Sequence, residues 1–280
     1  MKERLIAFLK LLQLYHPLQS FYRGSILFLL NNYYRLAFLR YKGKGYICNF
    51  CGASYQKFVP EYPSKKNAAA INNNEVIAGY GENVYCPNCM SKNRDRLVLV
   101  VLQNFLHIES KTVLHFSPEK HLFNFVKDKA KVTTADIIPG FYKNIDRSIS
   151  YADATSLNFA DDSFDFIIAN HILEHIPEDV KAMKEMQRVL KKDGVAILQV
   201  PYSTKLETTI EEPFINNPAR QELLFGQKDH VRMYAFKDYI KRLEVAGFRV
   251  EVLLAAHFGE FKKYAIQEGE SVVLCYKLKK

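Results

Sequence analysis

KTVLHFSPEKHL, residues 111–122, is the stretch on which the fold turns. Thr112-Val113-Leu114-His115-Phe116 has the length and apolar, β-branched content of a short buried strand. A helical pattern follows over 119–128, so the segment reads strand, turn, helix. In a nucleotide-binding α/β fold that turn usually carries glycines, because the backbone must come close to the ligand. Here it is Ser117, Pro118, Glu119 and Lys120, without a glycine.

Working outward, apolar runs of strand length alternate with helical stretches. The strands fall at 112–116, 131–136, 148–151, 164–169, 194–200, 248–254 and 271–277. The helices fall near 95–107, 119–128, 178–191 and 235–246, the last stopped by Gly247. This order predicts an α/β, Rossmann-like, doubly wound fold: a mostly parallel seven-stranded sheet with helices on both faces. Residues 94–280 are expected to form that domain, with 203–234 as a lid over the substrate.

The chain has 280 residues and is 48% hydrophobic, enough for a sizeable core. Its net charge of +9 is uneven. Residues 1–46 carry eight Lys/Arg and one acid, a net of +7, leaving +2 for the rest. A broad nucleic-acid-binding face on the body is therefore disfavoured, since it would need clustered cations. Residues 1–42 read as basic amphipathic helices interrupted at Pro17, with aromatics interleaved among the cations. That composition suits a helix lying in a membrane interface; it equally suits a helical pair packed on the body or on another subunit. No uninterrupted apolar run of ~18 residues occurs, and no signal peptide is evident. The expected location is cytoplasmic, with peripheral contact at the inner face of the membrane through residues 1–42.

Cys48, Cys51, Cys86 and Cys89 form two CxxC pairs within a segment at 43–93. Four thiolates are what a closed tetrahedral zinc site needs, and with no open position for water its role is structural. Gly52 and Pro87-Asn88 suit the tight turns of such knuckles. The polar stretch between the pairs, YPSKKNAAAINNNEVIAGYGEN, reads as a loop. Cys275 reads as a small buried apolar residue.

The most informative run is YADATSLNFADDSFDFIIANHILEHIPEDVKAMKEMQRVLKKDGVAILQVPY, 151–202. It closely resembles the class I S-adenosylmethionine-dependent methyltransferases, and the resemblance extends over roughly residues 112–254. The resemblance implies S-adenosylmethionine as cofactor. It implies that Asp136 takes the ribose hydroxyls, and that Asp153, with the Ala154 amide nearby, takes the adenine amino group. Asn170 and His171 would border the methyl donor and the substrate. His115, Ser117, Pro118 and Glu119 stand at the cofactor loop, where the family usually shows an acid and glycines. A subset of the family resembles this chain there, with LHFxPE after the first strand, a CxxC segment upstream and a tail like LFGQKDHVRMYAFKDYIKRLEVAGF at 224–248. Glu119 would then hold the cofactor's ammonium. His230 and His171 are candidate catalytic residues, His230 as a general base or equally as a satisfied structural histidine. Arg232 is a candidate grip for a phosphate or carboxylate, and Glu174 and His175 read equally as helix-start caps.

The sequence leaves the acceptor open. One expectation is a small molecule or glycan, reached on a lipid carrier from the membrane surface through the basic N-terminus. A second is RNA, docked through the zinc segment and Lys65, Lys66, Lys92, Arg94 and Arg96. A third is a non-catalytic binding protein on the same fold.

Overall fold

The structure is a computed structural model that describes residues 15–259 and 261–278. The helices are α1 (Tyr15–Ala37), α2 (Ala68–Asn73), α3 (Asn93–Asn104), α4 (Lys120–Lys127), α5 (Asp179–Val189), α6 (Pro218–Phe225) and α7 (Phe236–Val245). The strands in the cysteine segment are β1 (Lys42–Ile47), β2 (Ser54–Tyr55), β3 (Val59–Glu61), β4 (Val76–Ile77) and β5 (Gly81–Tyr85). The body follows with β6 (Thr112–Phe116), β7 (Lys131–Asp136), β8 (Ser150–Tyr151), β9 (Phe164–Asn170), β10 (Leu190–Gln199), β11 (Tyr202–Ser203), β12 (Ile210–Glu211), β13 (Arg232–Ala235), β14 (Arg249–Leu254) and β15 (Ser271–Tyr276).

Seven strands make the main sheet in the order β14-β15-β10-β9-β6-β7-β8. Strands β6 to β10 pair in parallel, and only β15 runs antiparallel to its neighbours. The order reverses between β6 and β9, where an open α/β sheet leaves a crevice at the strands' C-terminal ends. Both faces are covered, so adjacent residues of one strand serve opposite cores. Leu114, Ile167 and Ala196 pack on one face with Met183 and Met186 of α5 and Leu243 of α7. Their neighbours Val113, Ile168 and Ile197 pack on the other with Val101 of α3 and Leu122 and Val126 of α4. Cys275 is fully buried in β15, as expected.

Three local readings differ. The Lys-Lys-Asp-Gly stretch already belongs to β10, which meets β9 at Leu190, bulges, and resumes at Val195. Asp193 takes φ +61° in that bulge. At Gly194 a Cβ would lie 2.9 Å from the carbonyl oxygen of Asp165, so only glycine fits. The stretch between the cysteine pairs is not all loop: Ala70 and Ile71 of α2 are buried, and β4 pairs with β11. Finally, α1 starts at Tyr15, so Pro17 sits in its first turn, where a missing N–H breaks no helical bond. The expected helix before it lies outside the described residues.

The 203–234 region is built in. β12 and β13 join β11 and β4 in a four-stranded sheet, so the cysteine segment supplies one edge of it. Buried Arg232 fixes its position. Its guanidinium donates to the carbonyls of Leu173 (2.9 Å), Pro177 (2.8 Å) and Ile176, and its Nε lies 3.0 Å from Glu211 Oε2. Arg232 is thus a framework residue and not a grip for a substrate anion.

Candidate functional site

The glycine-free loop has its own way of turning. Ser117 adopts φ +44°, the left-handed region where glycine is the usual occupant. Its N–H donates to the Ala135 carbonyl at 3.0 Å and its hydroxyl to Asp136 Oδ2 at 2.6 Å. The second bond ties the end of β6 to the end of β7. Asp136 is buried, and its Oδ1 accepts the Ile138 N–H at 2.6 Å. Pro118, next in the loop, is buried.

Glu119 performs the matching tie on the other side. Its Oε2 accepts from Nε2 of the fully buried His115 at 2.9 Å, and its Oε1 accepts from Asn170 Nδ2 at 3.1 Å. One carboxylate thus joins β6 to β9 across the point where the strand order reverses. Burial works against its charge, but the bond from His115 and the charges of His115 and Arg94 hold its carboxyl below the usual range. Asp153 lies just past β8, whose Tyr151 pairs with Asp136. Its Oδ1 accepts the Thr155 N–H and hydroxyl, both at 2.8 Å, which makes it a turn former. Ala154 is buried next to it.

His171 follows β9 with φ +54°, and its N–H donates to the Gln199 carbonyl at the end of β10 (2.7 Å). The ends of β6, β7, β9 and β10 therefore form one connected rim. Two non-glycine residues in left-handed conformation on a single rim are the kind of local strain that collects at working sites. Burial, with the charge of Arg94, lowers the His171 imidazole to about 4. His230 is almost fully buried and is lowered to about 4, chiefly by burial. Both rings are neutral at neutral pH and carry a free lone pair. Between them sits Glu174, whose Oε1 is 3.5 Å from His171 Nδ1 and 3.9 Å from His230 Nε2. Burial disfavours its charge, yet the contact with His171, and the attraction of His175, His171 and His230 wherever those rings are protonated, pull it down to about 2.

Some residues here have no sequence motif to announce them. Arg94, in the first turn of α3, has a buried Nε without a hydrogen-bond partner. Its charge is felt by Glu119, His171 and Glu270 alike, which places it on the site side of the helix. Glu270 is buried before β15 with Oε1 unpartnered; burial pushes its carboxyl up to about 7 against the pull of Arg94. With His171, Gln199 and Tyr202 it lines a small cavity at the C-terminal end of β10.

The four cysteines come together as expected. Cys48 and Cys89 sulfurs are 3.6 Å apart, and Cys51 and Cys86 sulfurs 3.8 Å apart. A disulfide needs about 2 Å. Sulfurs about 2.3 Å from a common tetrahedral ion lie about 3.8 Å from each other, which these match. Each knuckle closes alike: Gly52 N–H donates to the Cys48 carbonyl and Met90 N–H to the Cys86 carbonyl, both at 2.8 Å. Gly52 (φ +71°) and Met90 (φ +62°) both take the left-handed turn. The donor set and spacing fit zinc.

A parallel sheet that reverses order at β6/β9, takes β15 antiparallel, and presents acids at successive strand ends is the arrangement that the resemblance to class I S-adenosylmethionine-dependent methyltransferases implies. Comparison with known proteins agrees: residues 118–198 match the family described as a methyltransferase domain. The chain is 32% identical over 91 residues to the demethylmenaquinone methyltransferase of Bacillus velezensis, covering 32% of this chain and 35% of that protein. It is 29% identical over 185 residues to the uncharacterized methyltransferase YcgJ of Bacillus subtilis, covering 64% of this chain and 67% of that protein. The matched part thus spans about a third of the first relative and about two thirds of the second. Among solved structures, the methyltransferase in complex with the Trm112 activator from Haloferax volcanii superposes with a TM-score of 0.50. That match has 15% identity and covers 65% of this chain and 89% of that one; it speaks to the fold alone.

Proposed function

We propose that this protein transfers the methyl group of S-adenosylmethionine to a small-molecule or glycan acceptor presented on a lipid carrier at a membrane surface. The observation that carries the cofactor half is the rim itself, on which Ser117–Asp136 and Glu119–Asn170 lock the ends of three adjacent strands. Its leftover atoms suit the cofactor. Asn170 Oδ1 is a buried acceptor without a donor, and Arg94 Nε a buried donor without an acceptor. An amino acid's ammonium and carboxylate would satisfy these two groups. Asp136 would hold the ribose hydroxyls, and Asp153 beside Ala154 the adenine amino group. When bound, S-adenosylmethionine supplies an electrophilic methyl on sulfonium. His171 and His230 offer neutral imidazoles to an acceptor that must lose a proton, and the buried rim excludes water from the line of attack.

The acceptor half rests on α1. Leu18, Tyr22, Leu29, Tyr33 and Leu36 recur at helical spacing and are 51–74% exposed. No described helix is long and apolar enough to cross a membrane. An exposed apolar stripe on a basic segment suits an anionic lipid surface. The RNA reading has less to stand on, because three of its five cations are turned inward, leaving Lys65 and Lys66 exposed. Arg96 is fully buried, Lys92 pairs with Glu61 at 3.0 Å, and Arg94 faces the site.

The test is calorimetric titration with S-adenosylmethionine and S-adenosylhomocysteine. One-to-one binding is expected, weakened about 10–100-fold in Asp136→Ala and Glu119→Ala, as loss of a hydrogen bond to a charged group implies. No binding by folded wild-type protein would favour the non-catalytic reading. Co-sedimentation with anionic vesicles, reduced in Leu29→Glu and Leu36→Glu, tests the surface; equal sedimentation of all three would refute it.

A further inference from the structure

The cofactor reading gives Glu174 no role. Glu174 stands in a 3-10 turn, Leu173–His175, and is only 1% exposed. Neither of its carboxylate oxygens has a hydrogen-bond partner. Nε2 of His230, at 3% exposure, has none either. A buried carboxylate with no donor is costly, and imidazoles 3.5 and 3.9 Å away are too far to act as donors. One ligand atom each from Glu174, His175 and His230 lies within 4.8 Å of the other two.

We propose that Glu174, His175 and His230 form a second metal centre, distinct from the four cysteines, that takes a divalent first-row transition ion of the zinc class. Two imidazoles and a carboxylate are a donor set such ions favour. Donors about 2 Å from a shared ion lie about 3.4 Å apart, so closure needs only a rotamer-scale adjustment. The ion supplies the positive charge that the Glu174 oxygens lack and engages the His230 lone pair, which leaves His171 as the imidazole free to serve an acceptor. His175 is prepared for the same role. Its Nδ1 donates to the Asp229 carbonyl at 3.2 Å, with the Asp229 carboxylate 3.5 Å away. That bond puts the proton on Nδ1 and leaves the lone pair on Nε2, the second-sphere arrangement of metal-bound histidines. The frame is firm, because Arg232 holds the carbonyls around the turn and the Val231 N–H donates to the Glu174 carbonyl at 3.0 Å. His175 is 33% exposed, which gives an ion a way in. Three protein ligands leave a position open to an oxygen or nitrogen of another molecule.

The centre does not depend on methyl transfer, so its test reads metal alone. Full-length protein, stripped with chelator, is titrated with Co2+ under reducing conditions. Thiolate ligation gives intense near-ultraviolet charge-transfer bands, whereas a nitrogen and oxygen site gives only weak visible bands. Wild type is expected to take two equivalents, one with each signature. His230→Gln and Glu174→Gln should keep the thiolate-marked equivalent, which reports an intact fold, and bind the other at least 10-fold more weakly. If either variant loses both signatures, His175→Ala, at the most exposed ligand, decides in its place. Saturation of wild type at the thiolate-marked equivalent alone would overturn the proposal. So would a second equivalent that survives in the variants. Calorimetry with S-adenosylmethionine on the same samples separates this result from the fate of the cofactor site.

Discussion

Replacing Arg96 should uncouple the cysteine segment from the methyltransferase body. Arg96 is fully buried, and its guanidinium makes five hydrogen bonds, all to carbonyls. Three acceptors lie in the cysteine segment: Asn83 (3.1 Å), Val84 (3.1 Å) and Ser91 (2.7 Å). Two lie before β15: Tyr264 (2.6 Å) and Ala265 (3.0 Å). The side chain also covers the Phe58 ring, 4.9 Å from its centroid. Bonds to a charged donor are worth about 1.5–3 kcal/mol each, but the dehydration of the buried guanidinium offsets several kcal/mol of that total. Removing such a partner costs about 3–5 kcal/mol, so Arg96→Ala should lower stability by about 4 kcal/mol. Arg96→Lys keeps the charge but offers at most three donors, and should recover less than half of the loss. Urea unfolding followed by circular dichroism measures both, with metal release to a colorimetric chelator as a second readout. A loss below about 1 kcal/mol in Arg96→Ala, with unchanged metal release, would refute the clamp.

Further outcomes follow from single groups. Glu270, raised to about 7, holds in the folded state a proton that the unfolded chain releases near pH 4.5. Its contribution is complete below the unfolded value and is lost as pH rises to about 7. Glu270→Gln should therefore gain about 2–3 kcal/mol relative to wild type between pH 4 and pH 8, and an equal difference at both pH values in urea unfolding would contradict this. Ser117→Ala keeps the left-handed turn but loses the bond to Asp136, and should cost about 1–2 kcal/mol; Ser117→Gly relieves the turn and should cost less, as thermal melts would show. Metal analysis should find zinc in the four-cysteine site, lost in Cys86→Ser together with a lowered melting temperature.

The strands and their order were legible because a doubly covered parallel sheet writes itself as short apolar runs separated by helical periodicity. Thr112–Phe116 and Phe164–Asn170 are examples, and Asp136 stands at the end of Lys131–Asp136, where that strand stops. The turn chemistry was less legible. Ser117 and His171 adopt backbone angles that sequence rules reserve for glycine, so a search for glycines passes over the loop. Arg94 and Arg96 share the first turn of α3, where cations usually meet water, yet Arg96 turns inward to carbonyls brought close only by the tertiary fold, and the charge of Arg94 acts on Glu119, His171 and Glu270. Glu270 posed the same difficulty. Its environment comes from elements far along the chain, His171, Gln199 and Tyr202, and no spacing within one segment encodes it.

The pairing of β4 with β11 sets a timetable for biosynthesis. Tyr202 meets Ile77, so the ribosome must add about 125 residues after one strand before the other exists. At about 5–20 residues per second that interval is about 6–25 s. The fourth cysteine of the knuckles is made only 12 residues after Ile77 and precedes nearly all of that wait. The nascent segment can thus capture its ion and settle its turns while its partner strand is untranslated, and the body then folds against a finished template.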